Sequence, residues 1–99
     1  VTRTYPVSGK FTKRQREIYS IVLKALEASL RKVRAGCTFK QIDKASRDII
    51  KKAGYGDYFI HGIGHHLGLE VHDITPEGSI KTGAVITIEP GIYIPDENL

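Results

Sequence analysis

At Gly54 the sequence changes its period, and that change limits what the chain can fold into more than any other feature. Before it, Ile18, Ile21, Val22, Ala25, Leu26, Ser29 and Val33 recur at 3.6-residue spacing and form one helical stripe. Thr12 followed by Gln15 supplies the start signal, a hydroxyl and an amide that satisfy orphan N–H groups of a first turn, and Gly36 is placed to end the helix. Thr38 and Gln41 repeat the arrangement for a second helix, with a buried face expected at Ile42, Ala45, Ile49 and Ala53 and Gly54 as the left-handed cap. From there on the chain carries eight of its ten glycines, at 54, 56, 62, 64, 68, 78, 83 and 91, a density that suits short strands and loops and no helix.

Residues 1–7 read as a strand that needs a partner, with Pro6 tolerated near its end and a turn at Ser8-Gly9-Lys10. Residues 67–72, 84–89 and 92–94 read as further short strands, the last two separated by Pro90-Gly91. Helices followed by several strands make the expected fold class α+β, two amphipathic helices packed on an antiparallel sheet. At 99 residues there is room for one core, and no internal repeat or linker divides it. The sequence holds no methionine, not even at position 1, so the chain is expected to be a segment of a longer product.

Charge and cysteine narrow the function classes. Ten Lys/Arg against two Asp/Glu fall in residues 1–40, and five against nine in residues 41–99, so the net charge of +4 belongs to the first helix and its flanks. Without a nucleic-acid motif or a stacking platform of aromatic residues, that basic face reads as solvated and no nucleic-acid partner is expected. Cys37 is the only cysteine and cannot form an internal disulfide. With no secretory segment and no run near the ~18 apolar residues of a membrane span, the expected setting is cytoplasmic, with no membrane partner.

All four histidines lie within twelve residues, at 61, 65, 66 and 72. Imidazole is the commonest protein metal ligand and titrates near neutrality, and glycines at 62, 64 and 68 allow backbone turns through which such rings converge. If residues 67–72 are extended, Leu69 and Val71 face the core while Glu70 and His72 face a cleft. His65 and His66 are adjacent and diverge in an extended chain, so at most one of them points inward. Further on, the β-branched run Val85-Ile86-Thr87-Ile88 leads to Glu89 just before Pro90-Gly91. A carboxylate in such a place is seldom buried unless paired or metal-bound, and carboxylate plus imidazole makes a first shell for Mn²⁺, Co²⁺, Fe²⁺ or Zn²⁺.

These motifs resemble the Xaa-Pro aminopeptidase and prolidase branch of the pita-bread metallopeptidases, a family that also includes methionine aminopeptidases. The likeness covers nearly the whole chain: Thr2 to Thr12 with Gln15-Arg16-Glu17-Ile18-Tyr19, His61 to Asp73, and Ile86 to Pro95. Leu69-Glu70-Val71-His72-Asp73 and Gly91-Ile92-Tyr93-Ile94-Pro95 favour the Xaa-Pro branch over methionine aminopeptidases. The resemblance implies a partial pita-bread (creatinase/aminopeptidase-like) fold, with residues 1–99 a single segment of a metallopeptidase catalytic domain truncated at both ends. It implies His65 as a metal ligand and Glu89 as a metal ligand that also serves the attacking water as base. His61 and His72 correspond to outer histidines that hold substrate and stabilise the tetrahedral intermediate, whereas His66 occupies a variable position and receives no catalytic role.

The implied reaction is hydrolysis of the bond between an N-terminal residue and proline, with two divalent ions, manganese first and cobalt, zinc or iron as alternatives. The implied partners are an Xaa-Pro peptide and further copies of the full-length protein in a homo-oligomer. The family's five-ligand set also needs two aspartates from strands that precede Val1 and a glutamate from a strand that follows Pro95, so the segment by itself is expected to be inactive. Two other functions remain to be separated from this one: a non-catalytic pita-bread module that binds a protein or nucleic acid, and a methionine aminopeptidase.

Overall fold

A computed structural model describes residues 2–99. Two helices dominate it, α1 (Lys13–Leu30) and α2 (Phe39–Lys52). Both begin as the sequence expects. Thr12 Oγ1 accepts the Gln15 N–H while the Gln15 side chain accepts the Thr12 N–H, and Thr38 and Gln41 make the same reciprocal pair.

The end of α1 differs from expectation. The helix stops at Leu30, five residues short of the residue before Gly36, and Val33 lies outside it and exposed. Lys32 and Val33 donate to Ser29 and Leu30, three residues back, which winds the chain off the helix axis. The Gly36 N–H then donates to the Ile80 carbonyl at 2.8 Å, and the Ile80 N–H to the Cys37 carbonyl at 2.7 Å. That reciprocal clasp fixes the connection between the helices to the far loop.

The two helices pack through small side chains. Ala25 and Ser29 on α1 and Ser46 on α2 are all fully buried. Ser29 donates to the Ile42 carbonyl, Ser46 donates to the Ala25 carbonyl, and the two hydroxyls touch, so each buried oxygen is partnered across the interface. This contact rotates the buried face of α2 to Ile42, Ser46 and Ile50, while Ala45 and Ile49 are half-buried and Ala53 is exposed. The core also takes Ile18 from α1 and, from outside the helices, Cys37, Phe59, Ile63, Ile80, Ile92 and Ile94. Each such isoleucine contributes roughly 1.5–3 kcal/mol of transfer free energy.

The expected sheet is reduced to one antiparallel bridge, His66 with Ile86, among the described residues. Val1 lies outside the described residues, and residues 2–6 adopt no strand; among the described residues no backbone ladder pairs with them. Residues 63–67 and 85–89 do run antiparallel: Leu67 N–H donates to the Val85 carbonyl at 3.0 Å, Thr87 N–H to His65 at 2.9 Å and Glu89 N–H to Ile63 at 2.7 Å. A regular ladder would also send the His65 N–H to the Thr87 carbonyl, but the Thr87 hydroxyl takes it at 3.0 Å.

Residues 67–72 are likewise no strand. Asp73 N–H donates to the His66 carbonyl at 3.2 Å and closes the segment into a loop. Leu69 and Val71, expected toward the core, are therefore exposed, at 104% and 66%. Residues 92–94 place Ile92 and Ile94 in the core without a strand partner, and a 3-10 turn at Pro95–Glu97 follows. Arg14 on α1 grips that turn through two 2.7 Å bonds to Glu97.

Candidate metal and catalytic site

The antiparallel pair 63–67 and 85–89 sets the register of the site. Position 65 lies opposite 87, so Glu89 is its diagonal neighbour and long side chains from the two can meet. They do: His65 Nε2 lies 3.3 Å from Glu89 Oε1, with the imidazole largely covered and the carboxylate half-exposed. Thr87 holds the ring's backbone from across the pair, accepting the His65 N–H on its hydroxyl. Gly64 permits this approach, because a Cβ there would stand 2.1 Å from the Thr87 carbonyl oxygen.

His65 Nδ1 lies 2.8 Å from the His66 carbonyl oxygen, which can only accept, so Nδ1 carries the proton. In the neutral ring Nε2 then presents a lone pair to a carboxylate oxygen. Two acceptors at 3.3 Å repel unless a cation lies between them, either a proton or a metal ion. Ligands held at about 2.1 Å from one ion, at angles between octahedral and tetrahedral, stand about 3.0–3.4 Å apart. The donor set therefore fits a divalent ion. The Nδ1–H to carbonyl bond is also the partner that metal-ligating histidines characteristically keep, since it fixes the tautomer and the ring plane.

His72 joins this pair. Its ring centroid is 4.4 Å from that of His65, with the planes 34° apart, so the loop 67–72 brings it to the cleft although it forms no strand. His66 turns the other way. Its ring meets the edge of Phe39, and its Nδ1 is buried without a hydrogen-bond partner.

His61 is held separately. Among the described residues it makes no hydrogen bond or ring contact with His65, His72 or Glu89. Its Nδ1 lies 2.8 Å from the Gly62 carbonyl and its Nε2 2.7 Å from the Tyr93 hydroxyl, with Phe59 at the ring edge. The Gly62 carbonyl requires Nδ1–H, so Tyr93 donates to Nε2 in the neutral ring. Among the described residues no three His, Cys, Asp or Glu side chains converge as a complete metal site. His65 and Glu89 meet as a pair.

Three contributors were not singled out in the sequence: Thr87, Tyr93 and Arg47. Tyr93 stood in a recognised motif and Thr87 in a recognised strand-like run, but nothing local marks their hydroxyls as partners of histidines 32 and 22 residues away. Arg47 reads as one half of an i,i+4 pair with Asp43 on a helix surface.

The site is thus an imidazole and a carboxylate brought together on glycine-rich segments framed by two helices. The chain belongs to metallopeptidase family M24, whose pattern matches residues 1–98. It is 50% identical over 100 residues to the Xaa-Pro dipeptidase of Pyrococcus furiosus, which accounts for 96% of this chain and 28% of that protein. The solved prolidase from Pyrococcus furiosus matches 90% of the chain with a TM-score of 0.81 and 49% identity, over 28% of its own length. The X-Pro aminopeptidase of Thermotoga maritima matches 86% with a TM-score of 0.73 and 38% identity, over 26% of its length. The chain thus spans little more than a quarter of these relatives, and its fold is that of the matching part of a pita-bread prolidase. The family resemblance read from the sequence motifs is borne out, and with it the expectation of a metal-dependent hydrolase family. Among the described residues no helix is long and apolar enough to cross a membrane.

Proposed function

We propose that this chain is a catalytic-domain segment, truncated at both ends, of a metal-dependent Xaa-Pro peptidase, a dipeptidase or aminopeptidase that cleaves the bond between an N-terminal residue and proline. The observation that carries the reading is the 3.3 Å approach of His65 Nε2 to Glu89 Oε1, two acceptors on a rigid pair of segments that need a cation between them. The naming of the relatives as Xaa-Pro dipeptidase and X-Pro aminopeptidase supports the substrate class.

In this reading His65 and Glu89 are metal ligands, and the remaining ligands come from parts of the protein beyond residues 1–99. When bound, a pair of divalent ions supplies acidity to water and polarises the scissile carbonyl. Glu89 gives one oxygen to the ligand pair and uses the other, which has no partner among the described residues, to accept a proton from the attacking water. His72, whose ring packs on that of His65, is assigned to holding the developing oxyanion through an imidazole N–H. His61, whose ring is fixed by Tyr93 and Gly62, is assigned to holding substrate. The same reading takes manganese as the first ion, a cytoplasmic setting in keeping with the single free Cys37, and a homo-oligomeric full-length protein without a nucleic-acid partner.

The test uses the full-length protein that contains these residues. Metal content and hydrolysis of an Xaa-Pro dipeptide and an Xaa-Pro tripeptide are measured for the parent, His65→Ala and Glu89→Gln. The expected result is a metal-loaded parent that cleaves at least one substrate, a His65→Ala protein with weaker metal binding, and a Glu89→Gln protein about 10²–10⁴-fold slower. A loaded parent that cleaves neither peptide overturns the substrate assignment. A His65→Ala variant with unchanged metal affinity overturns the ligand assignment.

A further inference from the structure

Arg47 carries a hydrogen-bond pattern that surface ion pairs do not show. Its Nε donates to Asp43 Oδ2 at 2.6 Å, one turn back on α2. That bond fixes the plane of the guanidinium and frees its fork. Nη1 donates to the Phe59 carbonyl at 2.9 Å and Nη2 to the His61 carbonyl at 2.6 Å. The cation also lies over the Phe59 ring, 4.4 Å from its centroid. One side chain of a rigid helix therefore grips two carbonyls of the loop that presents His61, and stacks on the aromatic residue between α2 and that loop. Asp43, less exposed than its partner, has no other visible use for its placement.

The loop needs such a grip. Residues 59–62 belong to no helix or strand, Ile60 is largely exposed, and Gly62 adds backbone freedom. The His61 ring is restrained at its far end by Tyr93, whose hydroxyl donates to Nε2 at 2.7 Å. Arg47 sets where the backbone of His61 sits, and Tyr93 sets where the ring points. Arg47 has the planar two-pronged geometry that a lysine ammonium cannot reproduce.

We propose that Arg47, oriented by Asp43 and acting with Tyr93, is a positioning residue that places His61 for substrate. The assignment rests on the proposed role of His61 in binding an Xaa-Pro peptide. Arg47 touches no reacting atom in this account, and its effect on turnover passes through the histidine.

A double-mutant cycle in the full-length protein tests this. Arg47→Lys, Tyr93→Phe, His61→Ala and each double variant with His61→Ala are assayed for kcat and KM on an Xaa-Pro dipeptide, with metal content measured alongside. Nitrogen-15 spectra of histidine-labelled protein read the His61 ring directly. The expected result is a loss of about 10²-fold in kcat/KM for Arg47→Lys, the scale of a small misplacement of a binding group, with metal content unchanged. In the His61→Ala background neither Arg47→Lys nor Tyr93→Phe should add a further loss, because the residue they place is already gone. The His61 nitrogen signals should shift in both single variants.

A purely structural Arg47 would instead lower stability, leave kcat and KM of the folded protein intact, and add its effect independently of His61. Either that additivity or unshifted His61 signals overturns the proposal. Tyr93→Phe removes one oxygen from a half-exposed ring, so it keeps the test alive if Arg47→Lys fails to fold. Full activity in His61→Ala itself would overturn the assumed role of His61, an outcome distinct from an active-site histidine that ignores Arg47.

Discussion

One added methyl group at Gly64 tests the register of the candidate site most directly. A Cβ at this position would lie 2.1 Å from the Thr87 carbonyl oxygen, 2.7 Å from its carbon and 2.9 Å from its hydroxyl oxygen. An ordinary carbon–oxygen contact is about 3.3 Å, so segments 63–67 and 85–89 must part by roughly 1 Å. The obstacle is main chain, and no rotamer change relieves it. Parting weakens the 2.9 Å bond from Thr87 to His65 and the 2.7 Å bond from Glu89 to Ile63. Each is worth about 0.5–1.5 kcal/mol net, and overpacking adds about 1–3 kcal/mol, so Gly64→Ala should cost about 2–6 kcal/mol of stability. The same movement draws Glu89 away from His65, whose 3.3 Å approach defines the ligand pair. Urea unfolding of the full-length variant reads the stability loss, and calorimetric titration with Mn²⁺ or Co²⁺ reads the ligand pair. Gly62 is the internal control, since a Cβ there meets nothing within 4 Å, and Gly62→Ala should be nearly neutral in both assays. A Gly64→Ala protein within about 0.5 kcal/mol of the parent, with undiminished metal affinity, would refute the reasoning.

Acid should release the clasp between α1 and the last turn. Arg14 holds the Glu97 carboxyl below its ordinary range, and the Tyr55 hydroxyl, with Arg14 second, does the same for Glu17. A folded-state pKa lowered in this way stabilises the protein above the unfolded value and ceases to do so as pH falls through the folded one. The melting temperature of Glu97→Gln should thus lie below that of the parent at neutral pH and converge with it as pH falls through the lowered folded-state pKa of Glu97, and a gap that persists in strong acid sinks the assignment. Between the helices, Ser46→Leu should destabilise by about 1–3 kcal/mol, because the site is closed and the serine's bond to the Ala25 carbonyl is lost as well. Unchanged equilibrium unfolding would mean that the helices are not as close as Ala25, Ser29 and Ser46 imply. At Gly91 a Cβ would lie 2.7 Å from the Tyr93 hydroxyl oxygen, so Gly91→Ala should displace that ring and reproduce the kinetic loss of Tyr93→Phe with little change in stability. Wild-type kcat and KM would separate Tyr93 from the working of His61.

The parts of this fold that were legible in the sequence are those whose cause is local. Both capping boxes lie within four residues, and both helices start where Thr12 and Thr38 put them. The end of α1 is less legible: the chain leaves the helix through bonds from Lys32 and Val33 to Ser29 and Leu30, and Ile80, remote in sequence, then holds residues 36 and 37 by two backbone bonds. Alternation in Leu67 to His72 suggested a strand, yet beyond Leu67 no segment among the described residues pairs with it, and the bond from Asp73 to His66 folds it into a loop instead.

The same distinction runs through the candidate site. His65 and Glu89 were visible as residue types suited to a metal, each beside a glycine or proline that bends the chain, and the structure brings their side chains together. The residues that hold the neighbouring His61 loop could not be found in this way. Arg47 donates to the carbonyls of Phe59 and His61, and a main-chain carbonyl leaves no trace in the identity of the residue that carries it. The visible half of the Arg47 pattern is the Asp43 pair, which at i,i+4 on a helix matches any solvated ion pair, of which Lys44 with Asp48 is one. What separates the two is burial and the direction of the guanidinium fork. The chemistry of the site is therefore written in side-chain types, while its geometry depends on which main-chain oxygens a helix can reach.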